Sequence, residues 1–273
     1  MRSRDLGQNF LRNKRTARRL VHLADGPREM LCVDLGAGTG AITEAAVGIR
    51  TGPILAIEYD DRLVARLTDR YRTEPRVTVR AADLLVTGVP SEPFVIAANP
   101  PFNTSTKLIR RWLLAPAFVS GALIAELPFA RRVTGSYGST KLSLALAPYL
   151  DLAVANNVRA AEFAPPPSVA TVIMTAVRRP QPLLPSGDSA DYWMFVNYLF
   201  ERGSRTVGES LRPLDPARLP AAVRQRPLRE LDPESAVAVY AAIARGNDRV
   251  LRRMAAFEDD LPGRRRSTVL FGA

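Results

Sequence analysis

From residue 31 onward the chain alternates short, continuous apolar runs with stretches of helical period. Leu-Cys-Val-Asp-Leu at 31–35 is such a run; it ends in Gly36-Ala37-Gly38-Thr39-Gly40, and a helical stretch over 41–47 follows. The next run, 54–57, ends in Glu58-Tyr59-Asp60, after which 61–71 places Leu63, Val64 and Leu67 on one helical face. Residues 77–79 form a third run leading to Ala82-Asp83, and 94–98 a fourth, ending at Asn99-Pro100-Pro101-Phe102. Runs that are apolar on both faces, each followed by an amphipathic helix, predict an α/β fold. The expected form is a Rossmann-like, doubly wound parallel sheet with helices on both sides.

Asn103-Thr104-Ser105-Thr106 supplies capping hydroxyls for a helix carrying Leu108, Trp112 and Leu113. Residues 123–126 read as a further strand, and 153–158 with 169–177 as a hairpin pair that closes the sheet. Phe163-Ala164-Pro165-Pro166-Pro167-Ser168-Val169 lies between that pair; its three prolines hold an extended loop. After Arg178-Arg179-Pro180-Gln181-Pro182 strand-like runs cease. Tyr192, Phe195, Val196 and Leu199 recur at helical spacing, as do Val237, Tyr240, Ala241 and Ala244. The expected organisation is a basic arm (1–19), the α/β domain (20–180), a small helical domain (183–258) and a polar basic tail (259–273).

Composition narrows the class. At 47% hydrophobic and 24% charged residues the chain is ordinary globular protein, not a disordered one. No run approaches the ~18 apolar residues of a spanning helix, and the basic N-terminus leads into no apolar signal core. A cytoplasmic protein with no membrane partner is expected, and a monomer is the default. One cysteine, Cys32, and one histidine, His22, cannot build a disulfide framework or a zinc site, so no metal is expected. Cys32 reads as core and His22 as surface, while Trp112 and Trp193 read as helix core.

Charge adds a partner. Lys plus Arg number 38 against 27 Asp plus Glu, a formal net of +11. Residues 1–19 hold seven of those cations (Arg2, Arg4, Arg12, Lys14, Arg15, Arg18 and Arg19) against the single acid Asp5. Such a patch attracts polyanions and suits phosphate contacts, which points to nucleic acid. Lys141, in the Ser-Tyr-Gly-Ser-Thr-Lys loop, is a further candidate phosphate contact.

The strand ends carry the chemistry. Glycines at 36, 38 and 40 let the backbone bend and approach a ligand closely. Glu58 follows at the end of the next strand, where a carboxylate accepts from both hydroxyls of an unphosphorylated ribose. Asp83 ends the third strand and can accept from an adenine amino group. The turn is not G-x-x-x-x-G-K-S/T, so a triphosphate P-loop is not supported. Asn99-Pro100-Pro101-Phe102 ends the fourth strand. Methylation of an exocyclic adenine nitrogen is hampered by delocalisation of its lone pair into the ring. The Asn99 carboxamide oxygen and the Pro100 carbonyl, both accepting the amino hydrogens, would push that nitrogen toward tetrahedral geometry. Phe102 can stack on a base taken out of its helix. The methyl of S-adenosylmethionine is already electrophilic, so orientation suffices and no strong base is required.

These motifs together resemble the ribosomal RNA adenine N6-methyltransferases, which comprise the 16S dimethyladenosine transferases and the erythromycin-resistance (Erm) enzymes of 23S rRNA. The matches are Gly-Gln-Asn-Phe-Leu at 7–11, Asp-Leu-Gly-Ala-Gly-Thr-Gly at 34–40, Ile-Glu-Tyr-Asp at 57–60, Ala-Asp-Leu-Leu at 82–85, the motif at 99–102 and Phe-Ala-Pro-Pro-Pro-Ser-Val at 163–169. They cover about 7–180. The resemblance implies a class I methyltransferase fold with S-adenosylmethionine as cofactor and the C-terminal helices as an RNA-binding domain. It implies that Asn9 and Leu11 line the cofactor pocket, and that Gly36 and Gly38 contact the methionine part. Glu58 would hold the ribose, Asp83 the adenine and Asn99 the target amino group, with Phe102 and Phe163 against the target base. The stretches 132–152 and 158–169 and the start of the helical domain (192–203) are closer to actinobacterial Erm enzymes. The expected activity is therefore methylation of 23S rRNA with macrolide resistance, ahead of 16S rRNA. A DNA adenine methyltransferase and a non-catalytic nucleic-acid-binding relative are the other readings. Pro100 departs from the family, which usually has Ile or Leu there, and leaves mono- against dimethylation open.

Overall fold

The computed structural model describes residues 9–102 and 105–259. Arg2, Arg4, the Gly7-Gln8 start of the first motif, the Asn103-Thr104 cap and the tail from residue 260 lie outside the described residues. The chain forms two units, Met1–Ala130 with Asp151–Arg178, and Arg131–Leu150 with Arg179–Ala273.

The first unit begins with β1 (Phe10–Leu11) and α1 (Lys14–Leu23), followed by β2 (Leu31–Leu35), α2 (Ala41–Ile49), β3 (Ile54–Glu58) and α3 (Asp61–Arg70). Next come β4 (Val77–Ala81), β5 (Phe94–Ala98), α4 (Ser105–Leu113) and β6 (Phe118–Glu126). After α5 (Leu127–Thr134) and α6 (Lys141–Leu146) the sheet resumes with β7 (Leu150–Val158), β8 (Phe163–Ala164) and β9 (Thr171–Arg178). Seven strands form one sheet in the order β4-β3-β2-β5-β6-β9-β7. The first five are parallel neighbours and β9 runs antiparallel to β6. β2, β3 and β5 are buried along their whole length, as central parallel strands covered on both faces must be. The predicted doubly wound sheet is present, and 153–158 with 169–177 close it as expected. The strand read at 123–126 is longer. Gly121 hides its start from the sequence, because the missing side chain makes room for Ile96, whose Cβ would lie 3.1 Å from an added Cβ.

The arm expected over 1–19 is corrected at its C-terminal half. Asn13 caps α1 by accepting from the amides of Arg15 and Thr16. Thr16, Ala17, Leu20 and Val21 are buried, the last three in one core with Ile42, Ala45 and Ala46 of α2. Burial of Leu20 and Val21 is worth ~1.5–3 kcal/mol each, enough to hold a helix whose other face is basic. The expected boundary at residue 19 therefore falls inside a packed helix. Arg15, Arg18, Arg19 and His22 occupy its exposed side, and Cys32 is buried in β2 as expected. On another face of the sheet Trp112 is fully buried and meets Phe94 edge-on at 6.2 Å.

The second unit is helical among its described residues: α6, α7 (Ser189–Glu201), α8 (Val207–Leu211), α9 (Ala221–Gln225), α10 (Pro233–Ile243) and α11 (Asp248–Asp259). It includes 131–150, expected in the α/β domain; Leu144, Leu146 and Tyr149 there are buried. Its core stacks Tyr192 on Phe195 at 6.2 Å and sets Tyr240 edge-on to Tyr192 at 5.3 Å. Trp193 is only half-buried, not core. On α10 the expected face is met in part: Tyr240 and Ala244 are buried as read, whereas Ala241 is exposed and Ala236, Val239 and Ile243 complete the inward side. A helix apolar nearly all round gives its period no preferred side.

Candidate active site

The site lies in the first unit, at the C-terminal ends of β2, β3 and β5, where open α/β sheets place their ligands. The backbone amides of Gly36 and Ala37 both donate to the Ile57 carbonyl, at 2.9 and 3.0 Å, which folds the glycine turn back on β3. Gly36 has φ +76° and lies against the Pro100-Pro101 turn; a Cβ there would meet Pro101 Cδ at 3.3 Å. The Gly38 amide donates to Glu58 Oε2 at 2.8 Å. Glu58 Oε1 accepts from the Tyr59 and Asp60 amides at 2.8 and 2.9 Å. A carboxylate has about four acceptor positions, and three are occupied. The expectation that Glu58 accepts two ribose hydroxyls thus narrows to one open position, on Oε2.

Asn99 carries the decisive geometry. Its Nδ2 donates to the Asn9 carbonyl at 2.8 Å, which fixes the amide, and its Oδ1 is buried without a hydrogen-bond partner. Orphaned buried acceptors are costly and rare, so an oxygen held this way is set for a donor from a ligand. Asp83 is exposed at the rim, with Oδ1 accepting from the Leu85 amide at 2.8 Å. One cavity is lined by Asn9, Leu11, Gly36, Gly38, Glu58, Asp83, Asn99, Pro100 and Phe102, so nine of the sequence-predicted residues come together.

The same cavity also contains Phe10, Ile42, Tyr59, Leu84 and Leu85, to which sequence reasoning gave no role. Tyr59 follows Glu58, and Leu84 and Leu85 follow Asp83, so an apolar neighbour to a strand-end acid is the signal in the chain. Trp112 donates from Nε1 to the Leu84 carbonyl at 3.0 Å, anchoring that wall. Phe163 is not brought there. It is 4% exposed and pairs with Leu11 in the β1–β8 ribbon, so it supports the strand that carries Leu11 and follows Asn9 rather than facing a base. Lys141 likewise does not stand free: its Nζ pairs with Glu201 at 2.5 Å. No group of three or more potential metal-ligating side chains occurs among the described residues.

Residues 2–239 match the family described as ribosomal RNA adenine dimethylase. The chain belongs to this family. An rRNA adenine N-6-methyltransferase of Streptomyces fradiae is 34% identical over 223 residues, covering 78% of this chain and 70% of the relative. The mycinamicin-resistance protein MyrB of Micromonospora griseorubida is 31% identical over 214 residues, covering 78% and 68%. Among solved structures, that of the 23S rRNA methyltransferase ErmE superposes with a TM-score of 0.75 at 26% identity, covering 86% of this chain and 99% of that one. The protein is a methyltransferase of the class I fold. No helix among the described residues is long and apolar enough to cross a membrane.

Within the family's glycine motif, Asp34 is wholly buried and accepts from Thr43 Oγ1 at 2.7 Å on Oδ2, while Oδ1 has no hydrogen-bond partner. Burial pushes its carboxyl up to about 7; the Thr43 bond offsets part of the rise and the nearby Glu58 charge adds to it. In the unfolded chain the same group titrates near ~4. Between those values the folded state holds the proton that the unfolded state has lost, so stability falls as pH rises from about 4 to about 7. Asp34→Asn keeps an oxygen for Thr43 and has no charge to bury. Its melting temperature relative to the natural protein is expected to climb by several degrees between pH 4 and pH 8. A difference that stays constant across that range refutes the buried-charge account.

Proposed function

We propose that this protein methylates N6 of an adenine in 23S rRNA, with S-adenosylmethionine as donor, and thereby confers macrolide resistance. The observation that carries this reading is the Asn99 amide oxygen, buried, oriented from behind by Asn9 and without a protein donor. The glycine turn and the remaining acceptor position of Glu58 fit the donor's methionine and ribose parts, with Asp83 at the rim for its adenine. When bound, that donor supplies an electrophilic methyl on a sulfonium.

The chain's own residues orient the acceptor. Asn99 Oδ1 and the Pro100 carbonyl accept the two amino hydrogens of the target adenine and draw its nitrogen toward tetrahedral geometry. The nitrogen so oriented would take the methyl that the donor supplies, and the displaced proton would pass to solvent. Phe102, half-buried in the cavity wall, offers a ring to a base extruded from the RNA. Pre-oriented acceptors replace a general base, consistent with the one histidine lying exposed on α1. The exposed cations Arg12, Lys14, Arg15 and Arg18 are assigned to RNA phosphates, together with Arg2 and Arg4 of the sequence, and the helical unit to the same RNA. Lys14 already pairs with Glu44 at 3.3 Å, but both groups are well exposed and such a pair exchanges cheaply. The names of ErmE and MyrB, one a 23S rRNA enzyme and one a resistance protein, support the choice of 23S over 16S.

The test is incubation with methyl-labelled S-adenosylmethionine and total rRNA from a macrolide-sensitive bacterium. The 16S and 23S species are then separated, with primer extension and nucleoside mass spectrometry on each. Label on one 23S adenine is the expected result, and its mass separates mono- from dimethylation. Label confined to 16S rRNA overturns the 23S assignment, and no label on either overturns the activity.

A further inference from the structure

The second unit contains a tight loop that the methyl-transfer chemistry does not use. Gly135 and Gly138, at φ +71° and +105°, turn the chain between α5 and α6. The loop is held at several points. The Gly138 amide donates to Gly135 at 3.0 Å, and the Ser139 amide and hydroxyl donate to the Arg229 and Leu231 carbonyls, each at 2.6 Å. Thr134 and Ser136 share a hydroxyl–hydroxyl bond at 2.6 Å, and Thr140 Oγ1 donates to the Arg132 carbonyl at 2.6 Å.

At the tip of this pinned loop Tyr137 is 73% exposed. The Arg131 guanidinium lies over one face of its ring, 4.2 Å from the centroid, so the opposite face is the one presented to solvent. Arg229, whose backbone receives the loop, has a side chain 80% exposed and only loosely paired with Glu230 at 3.6 Å. A large aromatic ring costs hydrophobic free energy when left in water. A ring held on a pinned loop and backed by a guanidinium is a combination by which proteins hold unpaired nucleotides: the ring stacks on a base while nearby cations meet phosphates.

We infer that Tyr137, backed by Arg131, is a stacking platform for an unpaired base of the RNA substrate. This rests on the reading of rRNA as substrate and adds a second base contact, separate from the cavity that takes the target adenine.

The probe is a single-stranded RNA heptamer carrying one 2-aminopurine, whose fluorescence is quenched on stacking, titrated with the full chain. The natural protein and Tyr137→Phe are expected to bind and quench alike. Tyr137→Ala is expected to bind about tenfold more weakly and to lose the quench, with binding of S-adenosylmethionine by calorimetry as the check that the chain is folded. A Tyr137→Ala protein that binds and quenches like the natural one overturns the platform, as does an equal loss of affinity for fully duplex RNA, which would mark a phosphate contact. Quenching by a natural protein that labels no rRNA would leave the platform standing and refute the methyl-transfer reading. Labelling of 23S rRNA with Tyr137→Ala indistinguishable in RNA binding would do the reverse.

Discussion

Asn99→Ala is expected to lower kcat for methyl transfer by about 10²–10³-fold, the usual cost of deleting one pre-oriented hydrogen-bonding group from a reaction centre. Affinity for S-adenosylmethionine should change only a few-fold. The split follows from where the two ends of the amide point. Nδ2 is engaged with the Asn9 carbonyl, and Oδ1 has no protein donor. Alanine removes the acceptor that the target amine needs and leaves the Asn9 carbonyl without its donor. The glycine turn and Glu58 are held by backbone amides that Asn99 does not touch. Asn99→Asp separates acceptor from orientation. It keeps oxygens that can accept, but it sets a carboxylate against the Asn9 carbonyl, so the side chain must turn. Activity should fall less than for alanine. Retention of more than a tenth of kcat by Asn99→Ala would refute the role given to the amide oxygen.

Much of this was legible in the chain because the site is made of strand ends, and strand ends are local in sequence. The apolar run at 31–35 predicts both a buried strand and the place where its glycine turn must stand; the same holds for Glu58, Asp83 and Asn99. What was not legible depends on contacts between distant segments. Nothing local to Phe163 says that it will pair with Leu11 in a two-residue ribbon, so a proline-flanked phenylalanine reads as a base contact when it is a clamp. Nothing local to residues 14–23 separates a free basic arm from a helix with one buried face, because four cations stand among the four residues that decide the matter. Lys141 reads as a phosphate contact until Glu201, far along the chain, neutralises it. Asn9 is the instructive intermediate case. A motif can mark it, but its contribution to the geometry is a main-chain carbonyl, which no side-chain pattern reports.

That dependence on the N-terminal strand gives the second large expected effect, at Gly38. Gly38→Ala is expected to weaken S-adenosylmethionine binding by more than tenfold and to cost about 1–2 kcal/mol of stability from backbone strain alone. Its φ is +57°, in the left-handed region, and an added Cβ would stand 3.0 Å from Phe10 Cδ1 and 3.2 Å from Cε1. The Phe10 ring must then move, or the turn must open. The ring is not at liberty to move alone, since Phe10 pairs with Ala164 in the ribbon and its neighbour Asn9 holds the Asn99 amide. An opened turn breaks the bond from the Gly38 amide to Glu58 Oε2, the oxygen with the remaining acceptor position. Either way one methyl group disturbs the cofactor cradle and the catalytic amide together, so kcat should fall as well as affinity. Gly48→Ala is the matched control. It sits exposed in α2 with nothing within 4 Å of an added Cβ, and should stabilise the chain by about 0.5–1 kcal/mol with cofactor affinity unchanged. Isothermal titration with S-adenosylmethionine and urea unfolding of both variants decide the point. Equal behaviour of the two would mean that the glycine turn tolerates a side chain, and that the close approach of Phe10 has no part in forming the site.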